Sequence, residues 1–124
     1  MLPEVFQSFR TGSMMLFYRE EDTVVFLGTA FLVHAGGFLV TVAHILEGHH
    51  QLMVLPYTPE EDFMPVHLES VSPIPVEVAR VATGCDLALL RFSQPMEIVV
   101  PDHVIGTPED IAIGMRIACL GYPF

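Results

Sequence analysis

The chain has 124 residues, of which 52% are hydrophobic and only 16% charged, and its formal net charge is −10. This length fits one domain, and such a domain can bury a hydrophobic core without metal or disulfide staples. All five basic residues are arginines, and because phosphate binding needs clustered cations, the charge argues against a nucleic-acid partner. The high hydrophobic share argues against disorder. No apolar run reaches the roughly 18 residues of a membrane span.

The start of the chain and the two cysteines bear on localisation. The segment Met1–Glu4 lacks the basic flank and long apolar run of a signal peptide. Cys85 and Cys119 stand 34 positions apart and form neither a CxxC pair nor a disulfide framework. These features favour the cytoplasm and leave the redox state of both thiols open.

Short apolar runs separated by turn residues predict strands along the whole chain, because each run is rich in β-formers and too short for a typical helix. The predicted strands are Ser13–Arg19, Thr23–Val33, Phe38–Val42, Gln51–Pro56, Met64–Ser70, Val76–Ala82, Asp86–Phe92 and Arg116–Leu120. Ala35-Gly36-Gly37 should supply the positive φ angles of a tight hairpin. Ala43–Glu47 is compatible with one helical turn, and Gln94–Gly114 should form a long surface connection. This pattern is typical of an all-β barrel or sandwich.

His44 is the first candidate for chemistry. The segment Phe26–Gly48 predicts a strand, a glycine hairpin and a second strand that stops at His44. An imidazole at the end of a strand is held on a rigid edge, and a general base needs such placement. A structural histidine in an apolar setting is the alternative.

Asp86 is the second candidate, because it opens a strand of otherwise apolar residues. A buried carboxylate must be paired or hydrogen-bonded. An imidazole is a suitable partner, since a carboxylate can hold its tautomer and stabilise its cation. The alternative is an aspartate that caps the turn before the strand.

Four motifs in register carry a resemblance to a known family. Thr41-Val42-Ala43-His44 and Asp86-Leu87-Ala88-Leu89-Leu90 resemble the histidine and aspartate boxes of trypsin-like serine peptidases. Gly28-Thr29-Ala30-Phe31-Leu32-Val33 is similar to a GTxFxV strand of the Deg-type branch, and Leu120-Gly121-Tyr122-Pro123 to its LGYP segment between two barrels. The resemblance covers about Gly28 to Phe124.

This resemblance implies a specific fold and specific roles. The fold would be an antiparallel six-stranded Greek-key barrel, equivalent to the first barrel of the trypsin-like fold, with residues 1–124 as one domain. His44 would be the general base and Asp86 its orienting carboxylate in a Ser-His-Asp triad. Ile45 stands where secreted members often have a cysteine.

The sequence departs from the family at the nucleophile. None of the five serines lies in a GxSGG segment; they are Ser8, Ser13, Ser70, Ser72 and Ser93. Without the serine and the oxyanion donors around it, nearly all of the acceleration is lost. We therefore expect the C-terminal serine barrel to be absent and the chain alone to be inactive. Cys85 is an alternative nucleophile, but strand geometry would place it on the opposite face from Asp86, as a small buried thiol.

A metal site is another alternative that the histidines raise. His44, His49 and His50, with His67 or His103, could supply nitrogens to zinc. Neighbouring histidines in a turn without an HExxH or cysteine spacing do not support such a site, so no metal and no cofactor is predicted.

Two functions remain after this sequence reasoning. The first is the histidine–aspartate half of a serine endopeptidase, which acts on protein or peptide substrates once a serine barrel joins it in cis or trans. The second is a non-catalytic β-barrel that binds proteins. In either case an uncovered apolar flank predicts self-association, with Gly114–Phe124 adding to the sheet edge of a second copy in a homodimer.

Overall fold

A closed β-barrel forms the body of the protein. The computed structural model describes residues 4, 9, 12–56, 73–95, 100 and 105–121. In chain order the elements are β1 (Ser13–Glu20), β2 (Thr23–His34), β3 (Phe38–Val42), the 3₁₀ helix η1 (Ala43–Leu46), β4 (Leu52–Pro56), β5 (Ile74–Ala82), β6 (Leu87–Phe92) and the 3₁₀ helix η2 (Pro108–Asp110). In this described part of the chain, no helix is long and apolar enough to cross a membrane.

The strands pair in the order β1-β2-β3-β6-β5-β4, and antiparallel pairing of β1 with β4 closes the barrel. Strand β3 lies beside β6 rather than β4, which is the strand order of a Greek key. The predicted all-β, antiparallel six-stranded Greek-key barrel is therefore confirmed.

Six of the predicted strands match observed ones to within two residues at each end. The predicted strand Met64–Ser70 lies outside the described residues. The predicted strand Arg116–Leu120 is wrong, because residues 116–120 pair with no described strand. Its short apolar run marks a segment suited to a sheet, but a strand forms only where a partner strand supplies the hydrogen bonds.

Inward-facing residues from every strand fill the barrel. Leu16, Leu39, Val54 and Leu90 are fully buried, and burying each side chain stabilises the fold by roughly 1.5–3 kcal/mol. Thr41 is also buried, and its hydroxyl Oγ1 donates a 2.8 Å hydrogen bond to the carbonyl of Thr29. This bond satisfies the polar group and fixes the end of β3, three residues before His44.

The hairpin between β2 and β3 depends on Gly37. The Gly37 amide donates to the His34 carbonyl at 3.0 Å, and φ of Gly37 is +89°. Of the three residues expected to supply positive φ angles, Gly37 alone does so. The arrangement is a turn followed by one left-handed residue, which is a common three-residue hairpin loop.

A bulge in β5 changes which residues face inward. Val78 pairs with Leu90 and Arg80 with Leu89, so Ala79 is the extra residue. Because one extra residue reverses the side-chain alternation, Val81 as well as Val78 lies opposite an inward-facing residue of β6. Both valines remain partly exposed, and both line the cleft described below.

Candidate active site

The barrel topology brings His44 and Asp86 together. Strand β3 ends at Val42, and β6 begins at Leu87, its direct cross-strand partner. In an antiparallel pair, the residues that follow one strand and precede the other meet at the same end. His44, in η1, therefore lies beside Asp86 although 42 positions separate them in the sequence.

Three hydrogen bonds join η1 to Asp86. The Ala43 amide donates to the Asp86 main-chain carbonyl at 2.9 Å, and the His44 amide donates to Asp86 Oδ1 at 2.9 Å. The imidazole Nδ1 of His44 lies 2.6 Å from Asp86 Oδ2. Asp86 thus holds both the main chain of η1 and the imidazole ring of His44.

Asp86 achieves this geometry from a turn rather than from the strand in which it was predicted. Its φ is +56°, and the preceding turn is marked by a 3.3 Å hydrogen bond from the Cys85 amide to the Ala82 carbonyl. Aspartate occupies the left-handed region more readily than most residues. This conformation lets its carbonyl and its carboxylate both reach η1.

The His44–Asp86 pair has a defined protonation pattern. Hydrogen bonding to His44 is the main reason that the pKa of Asp86 lies below its ordinary value. A carboxylate ionised at neutral pH can only accept, so Nδ1 carries the proton, and in the neutral ring Nε2 is the basic nitrogen. Among the described residues, none hydrogen-bonds Nε2.

The pair lies at the surface, not in a buried pocket. The side chain of His44 is 70% exposed and that of Asp86 is 47% exposed. Asp86 is therefore a paired carboxylate that water still reaches. Water still competes for both groups, so their attraction is weaker than it would be in an enclosed site.

A cleft of about 420 Å³ opens beside the pair. Leu46 from η1 and the valines Val78 and Val81 of β5 form its apolar walls, and His44 and Asp86 lie on its lining. The volume falls in the range of ligand sites. The two valines were not predicted to lie here. The bulge, which puts Val81 opposite Ala88 and on the same side as Val78, leaves no signal in the apolar pattern.

Cys85 does not occupy the buried position expected for it. The residue is exposed, and its Sγ lies 3.7 Å from the Ala82 carbonyl oxygen. The prediction assumed that Cys85 and Asp86 alternate on a strand, whereas β6 begins only at Leu87 and both residues belong to the turn. Cys119 is exposed as well.

The other histidines do not gather around His44. The ring of His49 stacks on Tyr18, and His50 is exposed. His67 and His103 lie outside the described residues. Within the described ranges, no group of three His, Cys, Asp or Glu side chains is arranged to hold a metal ion.

An apolar surface adjoins the candidate site on the outside of the barrel. Cross-strand pairs join Phe31 to Val40, Val40 to Leu89, and Val42 to Leu87, and their sequence neighbours Leu39, Thr41, Ala88 and Leu90 are buried in the opposite direction. Strand alternation therefore puts one set of five residues on the outer surface. We name it the outer apolar face: Phe31, Val40, Val42, Leu87 and Leu89.

The curated proteins that resemble this chain are serine proteases. No protein-family model matches the chain. A probable periplasmic serine endoprotease DegP-like of Halomonas elongata is 26% identical over 132 residues, covering 99% of this chain and 24% of that protein. Serine protease HTRA1B of Danio rerio is 24% identical over 103 residues, covering 83% of this chain and 19% of that protein. The chain thus spans about a quarter or less of the length of these curated relatives.

Solved structures agree on the fold. A variant of the HtrA-type protease AlgW, solved with a tripeptide, superposes with a TM-score of 0.64 at 17% identity, covering 92% of this chain and 32% of that one. The relatives and the structural neighbours are HtrA/DegP-type serine proteases. The resemblance to the Deg-type branch of trypsin-like peptidases is therefore confirmed, and the barrel matches those of HtrA protease domains.

Proposed function

We propose that this barrel is the histidine–aspartate half of a Deg-type serine endopeptidase. His44 is its general base, Asp86 orients that base, and a separate barrel supplies the serine nucleophile. The observation that carries the proposal is the 2.6 Å contact between His44 Nδ1 and Asp86 Oδ2 at the mouth of an apolar cleft. The barrel alone does not hydrolyse peptide bonds.

Each residue of the pair has a distinct task in the complete enzyme. Nε2 of His44 removes the proton from the serine hydroxyl as that oxygen attacks the scissile carbonyl, and later gives the proton to the leaving amine. Asp86 keeps the proton of the neutral ring on Nδ1 and stabilises the imidazolium that forms. Oxyanion stabilisation comes with the serine barrel.

The outer apolar face supports the proposal that a further barrel docks here. Phe31, Val42 and Leu87 are between 36% and 44% exposed. Val42 precedes His44 by two positions, and Leu87 directly follows Asp86. A partner that covers this face would also exclude water from the pair and strengthen its electrostatics. The serine barrel is the partner whose position the chemistry requires, because its nucleophile must come within hydrogen-bond reach of Nε2.

Exposed apolar side chains in the segment 105–121 also support a docking partner. Ile111, Ile113, Met115 and Ile117 are each at least 55% exposed, and a turn at Gly114, with φ of +85°, interrupts the segment between them. Clustered apolar side chains of this kind are suited to burial against a further barrel.

The reading frame that encodes this chain provides the first test. Continuation past Phe124 into a GxSGG segment is expected for a serine barrel in cis, and a native stop codon at that point would favour the protein-binding barrel instead. Protein extended through that segment should cleave an unfolded protein substrate and react with a fluorophosphonate probe. The 124-residue chain should do neither, and hydrolysis by that chain would refute the proposal.

A pair of histidine variants tests the role of His44 in the extended protein. His44→Ala should lower kcat by roughly 10²–10⁴-fold, since a positioned base contributes that much. His50→Ala is the matched control, because His50 is an exposed histidine six residues further on, and it should retain full activity. Equal activity of His44→Ala and the unsubstituted protein would remove His44 from the mechanism.

A non-catalytic protein-binding barrel is the second candidate, and the outer apolar face is the observation that favours it. Its partner would be a second copy of the chain, giving a homodimer. Val42→Asp on this face should shift a dimer toward monomer in sedimentation equilibrium, whereas Glu77→Gln, on β5, should not. A monomer at high concentration, whatever the substitution, would reject the homodimer.

A further inference from the structure

The short helix η1 cannot hold itself in place. It has only four residues and no side-chain cap at its N-terminus. One turn of 3₁₀ helix makes few internal hydrogen bonds, and isolated short helices do not persist in water. The position of His44 therefore depends on the packing of η1 against the core, where Ala43, Ile45 and Leu46 lie, and on contacts at its two ends.

The entry to η1 is held by Asp86, and the exit is held differently. After Leu46, which is buried in the core, the chain reverses at Gly48, with φ of +76°. The His49 amide then donates to the Leu46 carbonyl at 3.0 Å. This bond closes the turn and fixes where the His49 side chain leaves it.

The His49 ring stacks on Tyr18. Their ring centroids are 4.0 Å apart, and the ring planes meet at 20°. Offset or near-parallel aromatic contacts of this kind stabilise beyond the area that they bury. The stack joins the exit of η1 to a residue of β1.

Tyr18 is itself held firmly in the barrel. It pairs with Val25 of β2 on one side and with Leu52 of β4 on the other, and it packs against the main core cluster. A residue paired on both sides cannot move without disturbing two strand ladders. The stack therefore ties η1 to the closed barrel at the end remote from Asp86.

We propose that His49 is a positioning residue: by stacking on Tyr18 it fixes the exit of η1 and so keeps the His44 ring on Asp86. This inference rests on the proposed role of His44 as the base. His49 lies five residues after His44, and nothing in the chemistry requires it to touch a substrate. Its effect is on the geometry of the base.

The test compares three substitutions in the 124-residue chain. His49→Ala removes the stack, and His49→Phe keeps an aromatic ring without the imidazole. His50→Ala is the matched control, because His50 is the adjacent histidine and is exposed. The measurements are the NMR signal of the His44 Nδ1 proton, the carboxyl titration of Asp86 and the free energy of unfolding in urea.

In His49→Ala the Nδ1 proton signal should broaden or vanish through faster exchange with water. The pKa of Asp86 should rise toward the ordinary value of about 3.9, since the hydrogen bond from His44 is the main cause of its depression. His49→Phe should restore the Nδ1 proton signal and the lowered pKa of Asp86, and His50→Ala should change neither. Should His49→Ala not fold, His49→Gln is read in the same way.

The outcomes separate this proposal from the proposed function. A loss of unfolding free energy in His49→Ala, with the Nδ1 proton and the Asp86 titration unchanged, would make His49 merely structural and overturn the positioning role alone. Absence of the Nδ1 signal and of a lowered Asp86 pKa in the unsubstituted chain would overturn the His44–Asp86 dyad itself. It would remove this inference with it.

Discussion

Gly37→Ala should destabilise the barrel far more than Gly36→Ala, although the two glycines are neighbours in one hairpin. A Cβ at position 37 would lie 2.9 Å from Cδ2 of Phe92, and φ of Gly37 is +89°. A Cβ at position 36 would approach Nδ1 of His34 at 3.0 Å, but His34 is exposed, so a shift of its ring would cost only the surface hydrogen bond that the Gly36 amide donates to Nδ1 at 2.8 Å. The φ of Gly36 is not in the left-handed region.

The magnitude follows from these two contacts. A non-glycine residue in the left-handed region costs roughly 1–2 kcal/mol, and forcing a core side chain such as Phe92 to shift costs roughly 1–3 kcal/mol. The smaller entropy of the unfolded alanine chain returns about 0.4–1 kcal/mol. The free energy of unfolding should therefore fall by about 3 kcal/mol in Gly37→Ala and change by less than about 1 kcal/mol in Gly36→Ala.

Urea unfolding of the purified chain, followed by circular dichroism, measures the difference. With a typical slope of about 1–3 kcal/mol per molar urea, Gly37→Ala should lower the midpoint by roughly 1–3 M. A domain of this kind has about 5–15 kcal/mol of stability in total, so the variant should still fold. Equal midpoints for the two variants would refute both the left-handed requirement and the contact with Phe92.

Three further predictions follow from the core and from the site. Leu90→Ala should cost about 2–5 kcal/mol of unfolding free energy, because Leu90 is fully buried and its loss leaves a cavity. A loss of less than about 1 kcal/mol would contradict the assignment of Leu90 to the core. Gly28→Ala would place a Cβ 3.1 Å from Cδ1 of Ile45. It should lower the free energy of unfolding by about 1 kcal/mol and broaden the NMR signal of the His44 Nδ1 proton. A sharp, unshifted signal would show that this contact does not displace η1. The lowered pKa of Asp86 contributes stability that is fully present above the unfolded pKa of about 3.9 and is lost as the pH falls through the folded pKa. Between about pH 5 and pH 2, the urea midpoint of the unsubstituted chain should therefore drop more than that of Asp86→Asn. Parallel pH curves for the two proteins would show that the ionisation of Asp86 does not stabilise the fold.

Much of the fold could be predicted because strand signals are local. Apolar runs and turn residues marked β1 to β6, with Phe38–Val42 matched at both ends. The candidate pair His44 and Asp86 was also predicted, since the motifs around both residues are contiguous in the sequence. The wrong strand Arg116–Leu120 has the same kind of apolar run but no described strand to pair with.

The remaining features depend on tertiary contacts that no local pattern records. The bulge at Ala79 exists only in the pairing of β5 with β6, and it decides that Val81 lines the cleft. The left-handed turn at Asp86 moved this residue out of the strand and left Cys85 exposed.

From short-range patterns alone the sequence predicted an all-β barrel or sandwich. The resemblance of its motifs to a known family then selected the barrel and the two residues of the candidate dyad. The tertiary structure alone decided how the dyad is held: Asp86 fixes one end of η1, and the stack of His49 on Tyr18 fixes the other. Such contacts join residues more than thirty positions apart. Their existence depends on barrel closure, which fixes distances that the order of residues along the chain does not contain.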